Sequence, residues 1–304
     1  MAPRLYVFRF QQLYQLIPLQ STGKSSGGMM GGMGGDSTLA GQSYFLNIKK
    51  GFCNENAPCT VYAGKVGVQF EDGTKADPSK GVYIHHVLTT DTTKKTESWL
   101  SSCDNPTRPG SSVSSMGSGT GFVGTGEDSG DVPVLYTSRD GKANAGYHVG
   151  QGDAFMAMVE LVNYNKEAKQ VYITYDLEWT PRGQEVNSKG MLISISQCKG
   201  KAIKTSNAGP TNTTSGKWTV REDGNILAAR GHLHDGGVAV DLFINNKFAC
   251  ASKAVYGGAG STAEINGQQW QTISSMTNCD GPVPVKKGDE LSMVVEYDLK
   301  KYPL

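Results

Sequence analysis

The sequence has no long hydrophobic run, no excess of charge of one sign and no Cys-x-x-Cys pair. No apolar stretch approaches the roughly 18 residues of a membrane-spanning helix, so we expect no membrane span. The 29 basic residues nearly balance the 28 acidic residues, whereas a nucleic-acid-binding protein usually carries a basic excess. We therefore expect no nucleic-acid partner, and a partner that is an unknown small molecule or none.

The six cysteines include no Cys-x-x-Cys pair, which argues against a structural zinc site. An even number of widely spaced cysteines is typical of disulfides formed in an oxidising compartment. Asn212-Thr213-Thr214 is a glycosylation sequon, which also fits secretion. We therefore expect an extracellular protein, although residues 1–20 lack the apolar core and cleavage site of a clear signal peptide.

The first 40 residues are predicted to be a disordered leader. Residues 27–35 consist only of glycine and methionine, and such a stretch cannot bury enough surface to order itself.

Helical periodicity is absent from residue 44 onward, and short alternating runs indicate strands. In residues 171–179 apolar and polar side chains alternate throughout, as in a half-buried antiparallel strand. Asn245-Asn246 predicts a hairpin turn, and Gly288-Asp289 opens a late strand. We predict an all-β protein of two antiparallel β-sandwich domains, residues 41–183 and 184–304, divided near residues 182–189. Cys250 and Cys279 lie in the second domain and flank loops around its candidate site, so we predict that they form a disulfide.

Four of the five histidines form two clusters. His232 and His234 stand in Gly-His-Leu-His-Asp-Gly-Gly, and on a strand, side chains two apart share a face and could hold one metal ion. His85 and His86 are adjacent, so both can face one ion only if their strand is bulged or twisted. The alternative is that these histidines form hydrogen bonds within a sheet edge. His148 is either a further ligand or an ordinary loop histidine.

These features occur in an order that resembles a known family. The His85-His86 strand comes first, the Gly231–Gly237 motif follows, and a Met-x-x-Cys segment (276–279) precedes the strand at 288–297. The order resembles the peptidylglycine α-hydroxylating and dopamine β-monooxygenase family, and more closely the stress up-regulated Nod family of plants and fungi. The resemblance covers about residues 41–304, and it implies a monooxygenase-like pair of jelly-roll domains.

The resemblance also implies two separated copper ions. In the monooxygenases the first copper is held by an adjacent histidine pair and a third histidine. His85 and His86 match the pair, and Asn163 stands where the third histidine is expected. An amide is a poor copper ligand beside imidazole, so the first site is expected to bind more weakly than the second.

The second copper of the monooxygenases is held by His-x-His and a methionine. His232 and His234 match the His-x-His pair. The family's methionine lies on a strand beyond the position of Leu304, so the second domain is expected to lack its last strand, and Met276 is a weaker substitute. Copper is the expected cofactor, with zinc as the competitor for imidazole.

Three functions remain open at this point. The favoured one is a secreted, stress-associated protein on a copper-monooxygenase-like scaffold, with a metal-binding or vestigial histidine site. The second is an active copper-dependent monooxygenase or oxidase. The third is a non-catalytic cell-wall or carbohydrate-binding β-sandwich, which depends on analogy of fold alone.

Overall fold

The structure is a computed structural model that describes residues 6–10, 17–19, 42–48, 52–53, 58–94, 100–101, 120–126, 131–140, 142–196, 205–206, 209–265 and 268–303. The strands are β1 (Tyr6–Phe10), β2 (Ile17–Leu19), β3 (Gln42–Ile48), β4 (Cys59–Gln69), β5 (Val82–Asp91), β6 (Leu100–Ser101), β7 (Thr120–Thr125), β8 (Val134–Leu135), β9 (Ala145–Val149), β10 (Phe155–Asn163), β11 (Lys169–Pro181), β12 (Val186–Asn187), β13 (Pro210–Thr214), β14 (Trp218–Val220), β15 (Gly224–Ala229), β16 (Gly237–Ile244), β17 (Lys247–Tyr256), β18 (Thr262–Ile265), β19 (Gln268–Gln271), β20 (Ile273–Met276), β21 (Cys279–Val285) and β22 (Glu290–Asp298). A 3-10 helix covers Pro78–Lys80. No helix among the described residues is long and apolar enough to cross a membrane.

The predicted all-β architecture is confirmed. All strand pairs are antiparallel except the short β9–β12 pair. The alternating run predicted as a strand is β11, and the late strand predicted from Gly288-Asp289 is β22. Asn245 and Asn246 both have positive φ, 51° and 62°, as a two-residue hairpin turn of the primed type requires.

The first core lies between two sheets. One contains β1, β11, β4, β9 and β12 in that order, with β2 and β8 attached, and the other has the order β3-β10-β5-β7. Side chains from β4, β5, β10 and β11 are buried together in one cluster. A 2.7 Å hydrogen bond between Thr89 Oγ1 and Tyr175 OH joins the two sheets in their buried interior.

The second core lies on one face of a seven-stranded sheet with the order β20-β17-β16-β22-β14-β6, to which β13 is added beside β22. Leu291, Met293 and Val295 alternate along β22 and are buried in this core. β22 is an interior strand, with β16 on one side and β13 and β14 on the other. β6, from the first part of the chain, pairs with β14. The division into two domains near residues 182–189 stays a prediction.

Two disulfides occur among the described residues. Cys250 and Cys279 are bonded with their Cα atoms 5.6 Å apart, so the predicted pair is confirmed. Cys53 and Cys59 form the other, with a Cα separation of 6.4 Å.

The N-terminal region differs from the expectation where it is described. β1 pairs with β11, and β2 pairs with the other end of the same strand. Aromatic residues stand at every second position of Tyr6–Phe10, a strand pattern that the prediction of a disordered leader overlooked. The Gly/Met-rich stretch, residues 27–35, lies outside the described residues.

Candidate metal site

A β-bulge in β5 directs both histidines of the adjacent pair to one face of the sheet. Glu160 of β10 lies opposite His86, and the next residue, Leu161, lies opposite Ile84. His85 is therefore the extra residue, because a bulge sets two residues against one. The distortion that the sequence required for the pair to share a site is confirmed.

Glu160 receives both histidines of the bulge. Its Oε1 lies 3.1 Å from His85 Nδ1, and its Oε2 lies 3.3 Å from His86 Nε2. The ligand atoms of the three residues all lie within 4.8 Å of one another. Sequence reasoning missed Glu160, although it is the only charged residue of β10 and interrupts an apolar strand. That interruption was the available signal.

The His-x-His pair lies in a loop, not on the strand that the sequence predicted. β15 ends at Ala229 and β16 begins at Gly237. Leu233 is buried in the second core, so the residues on either side of it point away from that core. The rings of His232 and His234 lie 5.4 Å apart between centroids. The expected convergence of the pair therefore arises from the anchoring of Leu233 rather than from strand pleating.

Two tyrosines hold this loop. The backbone N–H of His234 donates to Tyr297 OH at 3.3 Å. The backbone N–H of Gly236 donates to Tyr256 OH at 2.8 Å, and the same hydroxyl donates to the carbonyl of Gly237 at 2.9 Å. The glycine turn behind the histidines is thereby fixed to the seven-stranded sheet of the second core.

The two histidine clusters meet in a single site. His85 Nε2 and His234 Nε2 are 3.1 Å apart, and their ring centroids are 4.6 Å apart. The centroids of His86 and His232 are 6.3 Å apart. The resemblance implied two separated sites, and in this chain the two clusters are in contact instead. We call the four histidines and Glu160 the five-residue cluster.

Burial and neighbouring charges set the protonation states of His86 and Glu160 in the cluster. Burial, with a smaller contribution from the neighbouring His85, lowers the pKa of His86 to about 4, and Glu160 opposes this shift. For Glu160, burial acts to raise the pKa, but the hydrogen bond from His85 and the charges of the surrounding imidazoles give a net lowered pKa. Near neutral pH the cluster therefore contains a carboxylate beside a neutral His86.

The fifth histidine lies elsewhere. His148 is on β9, where its Nε2 donates to the carbonyl of Glu185 at 3.0 Å and its backbone N–H donates to Asn187 Oδ1 at 3.0 Å. Burial is the main cause of its lowered pKa. The structure does not bring His148 to the five-residue cluster.

Asn163 also lies outside the cluster. It is fully buried, its Nδ2 donates to the carbonyl of Glu167 at 2.9 Å, and its Oδ1 accepts from the backbone N–H of Asn165 at 3.0 Å. The side chain closes the turn after β10. The residue of this strand that meets the histidine pair is Glu160, three positions earlier.

Met276 is fully buried in the second core. A Cβ added at Gly231 would lie 3.1 Å from Met276 Cε, so the thioether packs beside the residue before His232. Its use as a ligand stays a prediction.

Comparison with known proteins gives three similarities. The family model described as "Stress up-regulated Nod 19" matches residues 159–302, a range that includes Glu160, His232 and His234 but not the pair on β5. The chain is 24% identical over 246 residues to "Probable copper-dependent oxygenase M1" of Phoma sp., covering 80% of this chain and 58% of that protein. It is 25% identical over 240 residues to "Probable copper-dependent oxygenase clz3" of Cochliobolus lunatus, covering 77% of this chain and 70% of that protein. These similarities confirm the resemblance of this chain to the stress up-regulated Nod family.

Proposed function

We propose that this protein binds copper in the five-residue cluster and is a copper-dependent oxygenase acting on a small organic molecule. The observation that carries the proposal is the 3.1 Å separation between His85 Nε2 and His234 Nε2. Two nitrogen ligands each about 2.0 Å from one ion are commonly about 3 Å apart. The names of the Phoma and Cochliobolus relatives support copper as the ion.

The residues of the cluster fit a copper ion. Imidazole suits copper, and His86 Nδ1 is buried with no hydrogen-bond partner among the described residues. Glu160 accepts from Nδ1 of His85, which leaves the lone pair on Nε2, the atom that faces His234. A carboxylate behind a histidine is a common support for a metal ligand.

A bound copper would supply one-electron chemistry toward oxygen, and the chain's own residues have three tasks. The histidines would hold the ion, and His85 is oriented by Glu160. His234 is exposed to solvent, so a substrate can approach the cluster from that side. The anchored Leu233 and the two tyrosines keep the His-x-His loop in position.

Copper content separates the single cluster from the two sites that the resemblance implied. Wild-type protein reconstituted with Cu(II) and dialysed should retain about one copper per chain by elemental analysis, because all four histidines serve one site. Replacing His85 and His86 with alanine, or His232 and His234 with alanine, should each remove it, and His148→Ala is the matched control. Two coppers per chain, one lost in each double variant, would contradict the single site.

Metal identity and catalysis need separate measurements. Two histidines and a carboxylate can also hold Fe(II), so Cu(II), Zn(II) and Fe(II) should be compared by calorimetry, with the tightest binding expected for copper. Oxygen uptake with ascorbate as reductant then tests catalysis. A protein that binds copper without consuming oxygen under any reducing condition would be a metal-binding, non-catalytic protein, the reading that the sequence favoured.

We also propose that the protein is secreted and associated with stress. Two disulfides support an oxidising compartment. Asn212 and Thr214 of the sequon are exposed on β13. After expression in a eukaryotic secretory host, endoglycosidase should increase the electrophoretic mobility of the wild type and of Thr213→Ala, but not of Asn212→Gln or Thr214→Ala. An unglycosylated wild type would count against this route.

A further inference from the structure

A row of three apolar side chains lies beside the five-residue cluster on the same face of its sheet. Phe45 of β3 lies opposite Met158 of β10, and Met158 lies opposite Leu88 of β5. Phe45 is 50% exposed, and the other two are half-buried. We call these three residues the apolar row.

The apolar row and the cluster share one face because of the β-strand repeat. Met158 precedes Glu160 by two residues, and Leu88 follows His86 by two, so each pair of side chains points the same way. The bulge ends before Leu88, since Leu88 is again opposite Met158 in regular register. Two residues along a strand measure about 7 Å, so the row lies one step from the proposed ligands.

Partly exposed apolar groups in this position call for an explanation. The inward residues of the same strands, among them Leu46, Val87 and Val159, already fill the first core. The apolar row contributes nothing to that core because it lies on the opposite face. Three neighbouring strands about 4.8 Å apart make the row about 10 Å wide, which matches an aromatic ring or a short alkyl chain.

We propose that the apolar row binds the apolar part of the substrate and holds it beside the metal. This inference rests on the proposed function, and it adds the substrate class, a small organic molecule with an aromatic or aliphatic portion. Phe45, Met158 and Leu88 would then determine specificity, while the histidines hold the ion. Charged side chains are absent from the row itself, so a substrate with a charge at this position would lose its hydration without a partner.

The row can be tested without knowing the substrate. The fluorescent dye 8-anilinonaphthalene-1-sulfonate should bind the metal-free protein through its apolar aromatic groups, with its anionic sulfonate left in solvent. Phe45→Gln or Met158→Gln should weaken binding about tenfold or more, the scale of a lost hydrophobic contact in a binding pocket. Phe248→Gln is the matched control, because Phe248 is 60% exposed and lies on β17 of the other core. Circular dichroism of each variant confirms folding. Equal binding to wild type and both row variants would overturn the proposal.

A second measurement places the dye relative to the cluster. Cu(II) quenches nearby fluorophores, so loading the wild type with copper should quench the bound dye, and this effect should disappear when His232 and His234 are both replaced by alanine. Dye that is bound at the row but not quenched by retained copper would overturn the link to the metal. If copper itself is not retained, the proposed function fails, while the metal-free titration still tests the row.

Discussion

At the scale of single residues, Glu160 determines how the histidine pair of β5 is used. Its two oxygens contact His85 and His86 separately, so one carboxylate fixes both rings. The contact to Nδ1 of His85 leaves Nε2 directed at His234. A carboxylate in this position therefore selects which nitrogen of His85 is available to a metal.

The five histidines give a direct test by NMR. In a titration with Cu(II), the imidazole signals of His85, His86, His232 and His234 should broaden together, because a paramagnetic ion in the cluster is close to all four rings. The signal of His148 should persist, since His148 lies on β9, outside the cluster, with its ring hydrogen-bonded to the carbonyl of Glu185.

His148 has a further signature in the same spectra. Because burial lowers its pKa, its ring should stay neutral as the pH falls below about 6.5, where an ordinary histidine is half protonated. The native state binds this proton less readily than the unfolded chain, so its contribution to stability is present above that pH and is lost as the pH falls.

In the copper titration, broadening of all five histidine signals at one equivalent of copper would contradict the proposed ligand set.

At the scale of elements, the close approach of Gly237 to its own loop sets the position of the His-x-His pair. A Cβ at Gly237 would lie 2.6 Å from Leu233 Cβ and 2.9 Å from the carbonyl oxygen of His234. The carbonyl oxygen is a backbone atom and the Cβ is bonded to the backbone, so neither can move without moving the loop. The glycine at the start of β16 is therefore required for packing rather than for an unusual φ.

Gly237→Ala should lower copper affinity and destabilise the fold by more than about 1 kcal/mol, as overpacking generally does. Gly224→Ala is the matched control, because Gly224 begins β15 and a Cβ there would meet nothing within 4 Å. That control should leave copper affinity unchanged and alter stability by less than about 1 kcal/mol. Denaturant unfolding and calorimetry measure the two effects. Equal losses in both variants would show that the clash at Gly237 is relieved without moving the loop.

The sequence predicted the positions of the strands better than the contact between the two histidine clusters. Alternation located β11 and β22, and the i, i+1 spacing of His85 and His86 required the bulge that is present. The contact between His85 and His234 depends on how two cores pack, and periodicity along one strand carries no information about that. Alignment of strands predicts Asn163 at the site, but the register of β10 against the bulge in β5 brings Glu160 there instead.

At the scale of the whole molecule, side chains from one part of the chain hold loops of the other. Arg230 Nη1 donates to the carbonyl of Val132 at 2.6 Å. Arg230 lies two residues before His232. Arg139 and Asp280 form an ion pair at 3.3 Å, with side chains 55% and 46% exposed. The contact of Arg230 is therefore the more buried of the two and the nearer in sequence to His232.

Arg230→Ala should therefore reduce copper affinity and cost about 1.5–3 kcal/mol of stability, since a partly buried hydrogen bond from a charged group is lost. Arg139→Ala is the comparison, and it should cost less than about 1 kcal/mol because exposed ion pairs contribute little. Copper titration and thermal unfolding of both variants distinguish them. A larger loss of copper affinity in Arg139→Ala than in Arg230→Ala would contradict the role given to Arg230.

The contact between His85 and His234 spans 149 residues of sequence, and this separation has a consequence for the timing of maturation. The loop of His234 is tied to Tyr297 on β22, a strand that pairs within its sheet only after it has been synthesised. A chain grows from its N-terminus, and its domains fold in that order. An ion held by histidines of both clusters can therefore be loaded only after synthesis of the chain through β22 and folding of both cores.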